Sequence, residues 1–215
     1  MKTISSLSLL EKSLLFAQLS SVAYLNLAEA KKASRKLGFT TVEFYDRDGA
    51  QAYRFQNKTD LVIACRGTQP TEFQDLGADM KDLWFCGHSL GAAMATIMAS
   101  RCMFTESLGN PVELYTFGSP RVGWKGYCNS LGVVHHRWKN NNDIVTSVPP
   151  RFMGFKHHGT EHYINAYGNL RTPTGYQRVK DKIRGIVQGL SEGKIDSFSD
   201  HGIGEYIRHI RSSIK

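Results

Sequence analysis

The chain has 215 residues, 41% of them hydrophobic and 21% charged, which is enough for one domain with its own core and too mixed for a disordered tract. Its formal net charge is +8; without a nucleic-acid-binding motif the excess reads as a solvated basic face, with contact to an anionic lipid surface as the alternative and no nucleic acid as partner. No apolar run is long enough for a transmembrane segment.

Taken in chain order, Ile4 to Leu10 is apolar but is cut by Glu11 and Lys12, whereas a secretion signal needs an unbroken apolar core and a small-residue cleavage site. Ser8-Leu-Leu-Glu11 is instead a capping box opening a helix over 8–25. Asn26-Leu-Ala-Glu29 starts a second helix, and Gly38 stops it. Residues 39–45 and 51–55 alternate like half-buried strands around the turn 46–49. Leu61–Cys65 is a continuous apolar run, as a strand buried on both faces should be. Strands follow at 83–86, 112–117 and 133–138, with a helix over 90–105 between the first two. A hairpin-like stretch spans 151–166, a helix 176–190, and a short helix 203–213. Interposed helices and strands imply an α/β fold with parallel crossovers in a single domain, 1–215.

Cys65, Cys86, Cys102 and Cys128 form no C-x-x-C pair, which argues against zinc or thioredoxin-type chemistry. Thiols scattered through apolar patterns suit a reducing, cytoplasmic compartment, with secretion the weaker alternative.

The segment Leu83-Trp-Phe-Cys-Gly-His-Ser-Leu-Gly91 runs a strand into a small-residue helix with Ser89 at the corner. That is the sequence form of a nucleophile elbow. A Cβ at Gly87 or Gly91 would collide where strand and helix approach. The Leu90 backbone N–H then faces a developing oxyanion from the helix N-terminus. A serine hydroxyl needs a base, and the base needs an orienting acid; in this topology the order is Ser, acid, His. Asp143, in an asparagine-rich loop beyond strand 133–138, is the candidate acid. His201, in a late loop before the last helix, is the candidate base. His88 sits inside the elbow and is expected to point away from the serine; His135 and His136 alternate along a strand; His157, His158 and His162 flank the hairpin and read as structural. Gly67 and Thr68, closing strand 61–65, offer a second oxyanion donor.

Leu61–Thr68, Gly87–Gly91, Tyr115-Thr-Phe-Gly-Ser-Pro-Arg-Val-Gly123, Asn142–Val145 with Val148-Pro-Pro150, and Asp200-His201 together resemble the class 3, fungal-type triacylglycerol lipases from about residue 20 to 210. The resemblance implies an α/β-hydrolase fold and a triad of Ser89, Asp143 and His201. It gives Thr68 and Leu90 as oxyanion-hole residues, lipid ester substrates and no cofactor or metal. One departure stands out. Only 17 residues, 66–82, separate the oxyanion strand from the nucleophile strand, where the family carries a longer lid segment and a helix. A parallel crossover still closes over that length, but the missing helix is expected to uncover apolar sheet surface, forgoing roughly 1.5–3 kcal/mol per exposed large side chain. Three functions therefore remain: an acylglycerol lipase, a phospholipase or short-chain esterase with the same triad, and a truncated, inactive lipid- or partner-binding protein.

Overall fold

Alternation along the central strands sends odd and even residues to opposite faces, and each face finds its own helices. In the computed structural model, residues 3–47, 50–66, 81–105, 109–171 and 200–214 are described. Ten strands lie among them: β1 Thr41–Arg47, β2 Ala50–Gln56, β3 Asp60–Arg66, β4 Asp82–His88, β5 Glu113–Phe117, β6 Gly123–Trp124, β7 Val134–Asn140, β8 Phe155–Lys156, β9 Thr160–Ile164 and β10 Leu170–Arg171. The helices are α1 Leu9–Val22, α2 Leu27–Lys36, α3 Leu90–Met103, α4 Lys125–Ser130 and α5 Ile203–Ser212. Eight strands form one sheet in the order β1-β2-β3-β4-β5-β7-β9-β10. The run from β3 through β9 is parallel, and β1, β2 and β10 add antiparallel edges.

On one face Val62, Ala64, Trp84, Cys86, Tyr115 and Phe117 pack with Phe16, Leu19, Tyr206 and Ile210 from α1 and α5. Phe16 stacks on Tyr115 with ring centroids 4.5 Å apart. On the other face Leu61, Ile63, Cys65, Leu83, Phe85 and Leu114 pack with Met94, Ala95, Met98 and Ala99 of α3. The mostly parallel α/β class with helices on both faces is thus as expected. The capping box is present: Glu11 N–H donates to Ser8 Oγ (3.3 Å) and Ser8 N–H to Glu11 Oε2 (2.8 Å). At α2, Asn26 accepts from Glu29 N–H, and Gly38 follows with φ 90°.

Two expectations change. The apolar surface of β3 and β4 is not uncovered: Leu61, Ile63, Leu83 and Phe85 are all buried. The small side chains of α3 let that helix sit close enough to cover both strands. The stretch 151–166 is not a hairpin. β8 pairs antiparallel with β6 in a separate two-stranded ladder, and β9 leaves it to join β7 in parallel. Gly159 makes the crossing at φ 83°, where a Cβ would meet the His135 backbone and ring. Alternation marks a strand but does not choose its partner. The helix expected over 176–190 and nearly all of the short 66–82 connection lie outside the described residues. Among the described residues no helix is long and apolar enough to cross a membrane.

Candidate active site

β4 ends at His88 and α3 begins at Leu90, so Ser89 makes the whole turn. It does so at φ 60°, ψ −131°, a region that costs a non-glycine residue energy and persists only where the surroundings impose it. The surroundings are visible. Ser89 N–H donates to the Phe117 carbonyl on β5 (3.0 Å), and its own carbonyl accepts from Ala92 N–H (3.0 Å). A Cβ on Gly87 would overlap the Gly91 carbonyl, and one on Gly91 the Cys65 carbonyl. Bare glycine at both positions lets α3 dock against the strand ends. Leu90 opens the helix, so its N–H has no intrahelical acceptor.

Residues 89, 143 and 201 come together. His201 Nε2 lies 2.7 Å from Ser89 Oγ, and His201 Nδ1 lies 2.9 and 3.0 Å from the two oxygens of Asp143. A carboxylate only accepts, so Nδ1 carries the proton and Nε2 is the acceptor that faces the serine hydroxyl. The Asp143 side chain is fully buried and the His201 side chain partly so. Burying a carboxylate is tolerable only when donors replace its water. Here Tyr206 O–H donates to Oδ2 (2.6 Å) and Val145 N–H to Oδ1 (2.9 Å), besides His201. Burial and the adjoining Asp143 hold the Tyr206 phenol far above its ordinary range, so it stays a donor. The Tyr206 oxygen in turn accepts from Asn140 N–H (3.0 Å).

Further contacts set the two loops that carry Asp143 and His201. The Asp200 carboxylate accepts from Asn141 Nδ2 (3.0 Å) and Asn142 N–H (3.2 Å), and its carbonyl accepts from Asn140 Nδ2 (3.0 Å). The residue before the base thereby ties down the three residues before the acid. Gly118, at φ 60°, leaves the space in which the pair meets: a Cβ there would stand 2.7 Å from Asp143 Oδ2 and 2.9 Å from His201 Nδ1.

His88 packs against His201. Its ring centroid is 4.6 Å from that of His201, and Nε2–H donates to the His201 carbonyl (2.6 Å). Burial, foremost, lowers its pKa to about 4, so the ring is neutral and Nδ1 is free to accept from Tyr24 O–H (3.0 Å). Tyr24, His88, Tyr206 and Gly118 are the functional neighbours that sequence reasoning missed. Only Gly118, inside the quoted Thr-Phe-Gly-Ser-Pro run, carried a local signal; the others act through long-range packing. Thr68 lies outside the described residues. Among the described residues no cluster of three or more His, Cys, Asp or Glu could hold a metal ion.

The lipase (class 3) family model matches residues 65–153. A toxin, TseL, from Vibrio cholerae is 26% identical over 180 residues, which is 64% of this chain and 28% of that protein. A lipase from Rhizomucor miehei is 40% identical over 83 residues, 36% of this chain and 23% of that protein. The chain thus spans about a quarter of the length of the curated relatives it matches. The Rhizomucor miehei lipase–propeptide complex superposes with a TM-score of 0.60 at 20% identity, covering 76% of this chain and 72% of that one, a likeness of fold. Residues 65–153, which hold β4, the Ser89 corner and the Asp143 loop, are thus similar in sequence to the class 3 lipases.

Proposed function

We propose that this chain is a serine hydrolase of carboxylic esters in acylglycerol-like lipids, working through an acyl-enzyme. The observation that carries the proposal is the 2.7 Å approach of His201 Nε2 to the strained Ser89 hydroxyl, with Asp143 behind the ring. Ser89 Oγ attacks the ester carbonyl carbon while His201 Nε2 accepts its proton. Asp143 keeps the ring in the productive tautomer and stabilises the imidazolium. The Leu90 N–H, and by family resemblance the Thr68 N–H and hydroxyl, hold the tetrahedral oxyanion. Collapse breaks the ester bond, and the departing alkoxide takes the proton from His201. Water, activated by the same imidazole, attacks the acyl-serine and releases the fatty acid. The relatives' names support a lipid ester as substrate, and the four free, buried cysteines support a reducing compartment.

Ser89→Ala is expected to lower kcat on a soluble nitrophenyl ester by at least about 10⁴-fold and to leave the far-UV circular dichroism unchanged. A fluorophosphonate probe is expected to label the wild-type protein at Ser89 and to spare the variant. A folded wild-type protein that the probe leaves unlabelled would establish the inactive reading instead. Nitrophenyl esters of increasing chain length, triacylglycerol and phospholipid then separate the lipase from the esterase and phospholipase alternatives.

A further inference from the structure

We infer that the surface formed by Trp124, Lys125 and the segment Arg151–Lys156 docks this protein on an anionic lipid bilayer. Trp124 is 67% exposed, Phe152 89% and Met153 56%. Single exposed apolar residues are ordinary, but three large ones on adjoining backbone are not. β6 and β8 place them together: Trp124 pairs with Phe155 in register, their rings are 6.4 Å apart, and the Trp124 ring lies beside Gly154. The support beneath is built. Cys128 Sγ contacts the carbonyls of both Gly123 and Lys156, and the Arg121 guanidinium donates to the carbonyls of Ser147 and Pro149. A fixed presentation costs little ordering entropy on binding.

Charge selects the partner. Between Leu114 and Thr160 the sequence has six Lys or Arg and a single acid, Asp143, and that acid is buried in the candidate triad. Lys125, Arg151 and Lys156 are exposed beside the apolar residues. Aromatic side chains ringed by basic ones, with no acid among them, suit the headgroup boundary of a negatively charged membrane. Exposed apolar residues also lead back along the chain through Val148 to Ile144, next to Asp143. Choosing lipid over another anionic partner rests on the proposed ester hydrolysis.

Trp84 and Trp138 are fully buried, so a fluorescence shift on docking reports Trp124. The experiment titrates the 215-residue Ser89→Ala chain, which leaves the lipid intact, with phosphatidylcholine vesicles and with vesicles containing phosphatidylglycerol. The expected result is a blue shift of Trp emission with the anionic vesicles, weaker with phosphatidylcholine alone and reduced by high salt. Phe152→Ser combined with Met153→Ser should lower the partition coefficient by about tenfold or more while wild-type-background turnover of a soluble ester stays unchanged. No shift with anionic vesicles, or full partitioning by the folded double variant, overturns the proposal. So does a wild-type protein that self-associates through this surface while the double variant sediments as a monomer. Partitioning without ester turnover would sink the catalytic reading alone, and turnover without partitioning the docking alone.

Discussion

Asp143 is a buried carboxylate that holds three donors, and the one supplied by Tyr206 also accepts from Asn140 N–H. Removing that hydroxyl frees one lone pair of the acid and orphans a buried backbone N–H. Tyr206→Phe is therefore expected to cost about 1–3 kcal/mol of stability and to lower kcat about tenfold with little change in KM. Urea unfolding read beside steady-state kinetics checks both; an unchanged kcat would make Tyr206 a packing residue only. That Ser89, Asp143 and His201 come together was readable, because chemistry restricts which residue types suit a nucleophile, its base and an orienting acid, and chain order restricts their sequence. Tyr206 was not readable. It sits five residues past His201 on α5, and nothing local says that α5 returns beneath the Asp143 loop. The contacts of His88 were hidden for a similar reason. A strand residue one place before the serine faces away from it, yet the His201 carbonyl approaches from that other side.

At the level of elements, the elbow depends on the distance between α3 and the strands. Gly91→Ala would drive a methyl group into the Cys65 carbonyl. Backbone cannot swing aside as a side chain can, so α3 must lift away from β3. Loss of more than about 3 kcal/mol, or no soluble protein, is expected. Gly204→Ala is the control. It lies in α5 with open space around its would-be Cβ, and replacing a helical glycine by alanine should stabilise by up to about 1 kcal/mol. Thermal midpoints of the two variants give the comparison; equal effects would show that helix propensity rather than close packing governs Gly91. Both glycines look alike in sequence. The strand-then-helix context marked Gly91 as special, while the pairing of β9 with β7 rather than β8 had no such marker.

Across the whole molecule, histidines gather where β7 meets β9. His135 Nδ1 lies 3.1 Å from His158 Nδ1, and His136 Nδ1 lies 3.0 Å from His162 Nε2. Each contact needs one ring nitrogen to accept, so protonating both partners sets two N–H groups against each other. Burial lowers the pKa of His157 to about 3 and of His162 to about 4, and pushes His135 well down. Arg137, close by on β7, adds repulsion to each of these, while Glu161 on β9 opposes it for His157 and His162. Between the unfolded value near 6.5 and these folded values the unfolded chain takes up protons that the folded chain refuses. Stability is accordingly full above about pH 6.5 and falls as the pH drops toward 4. The thermal midpoint should be flat from pH 8 to 7 and then decline, by about 2–4 °C for each kcal/mol lost. A midpoint constant down to pH 4 would contradict the buried, neutral state of these rings.

The sequence by itself determined strands β1 to β5 and β7 of the central sheet, the elbow and the residue types able to form a triad, because periodicity, glycine spacing and nucleophile chemistry are local constraints. Only the tertiary structure decided which neighbours hold Ser89, Asp143 and His201 in place. Tyr206, Asp200, Gly118 and His88 act on partners brought to them by strand order and helix docking, and no local pattern records which distant segment will arrive beside a given side chain. The same holds for the partner of β9 and for the exposed corner at Trp124 and Phe152, since burial is a property of the packed whole rather than of any stretch of chain.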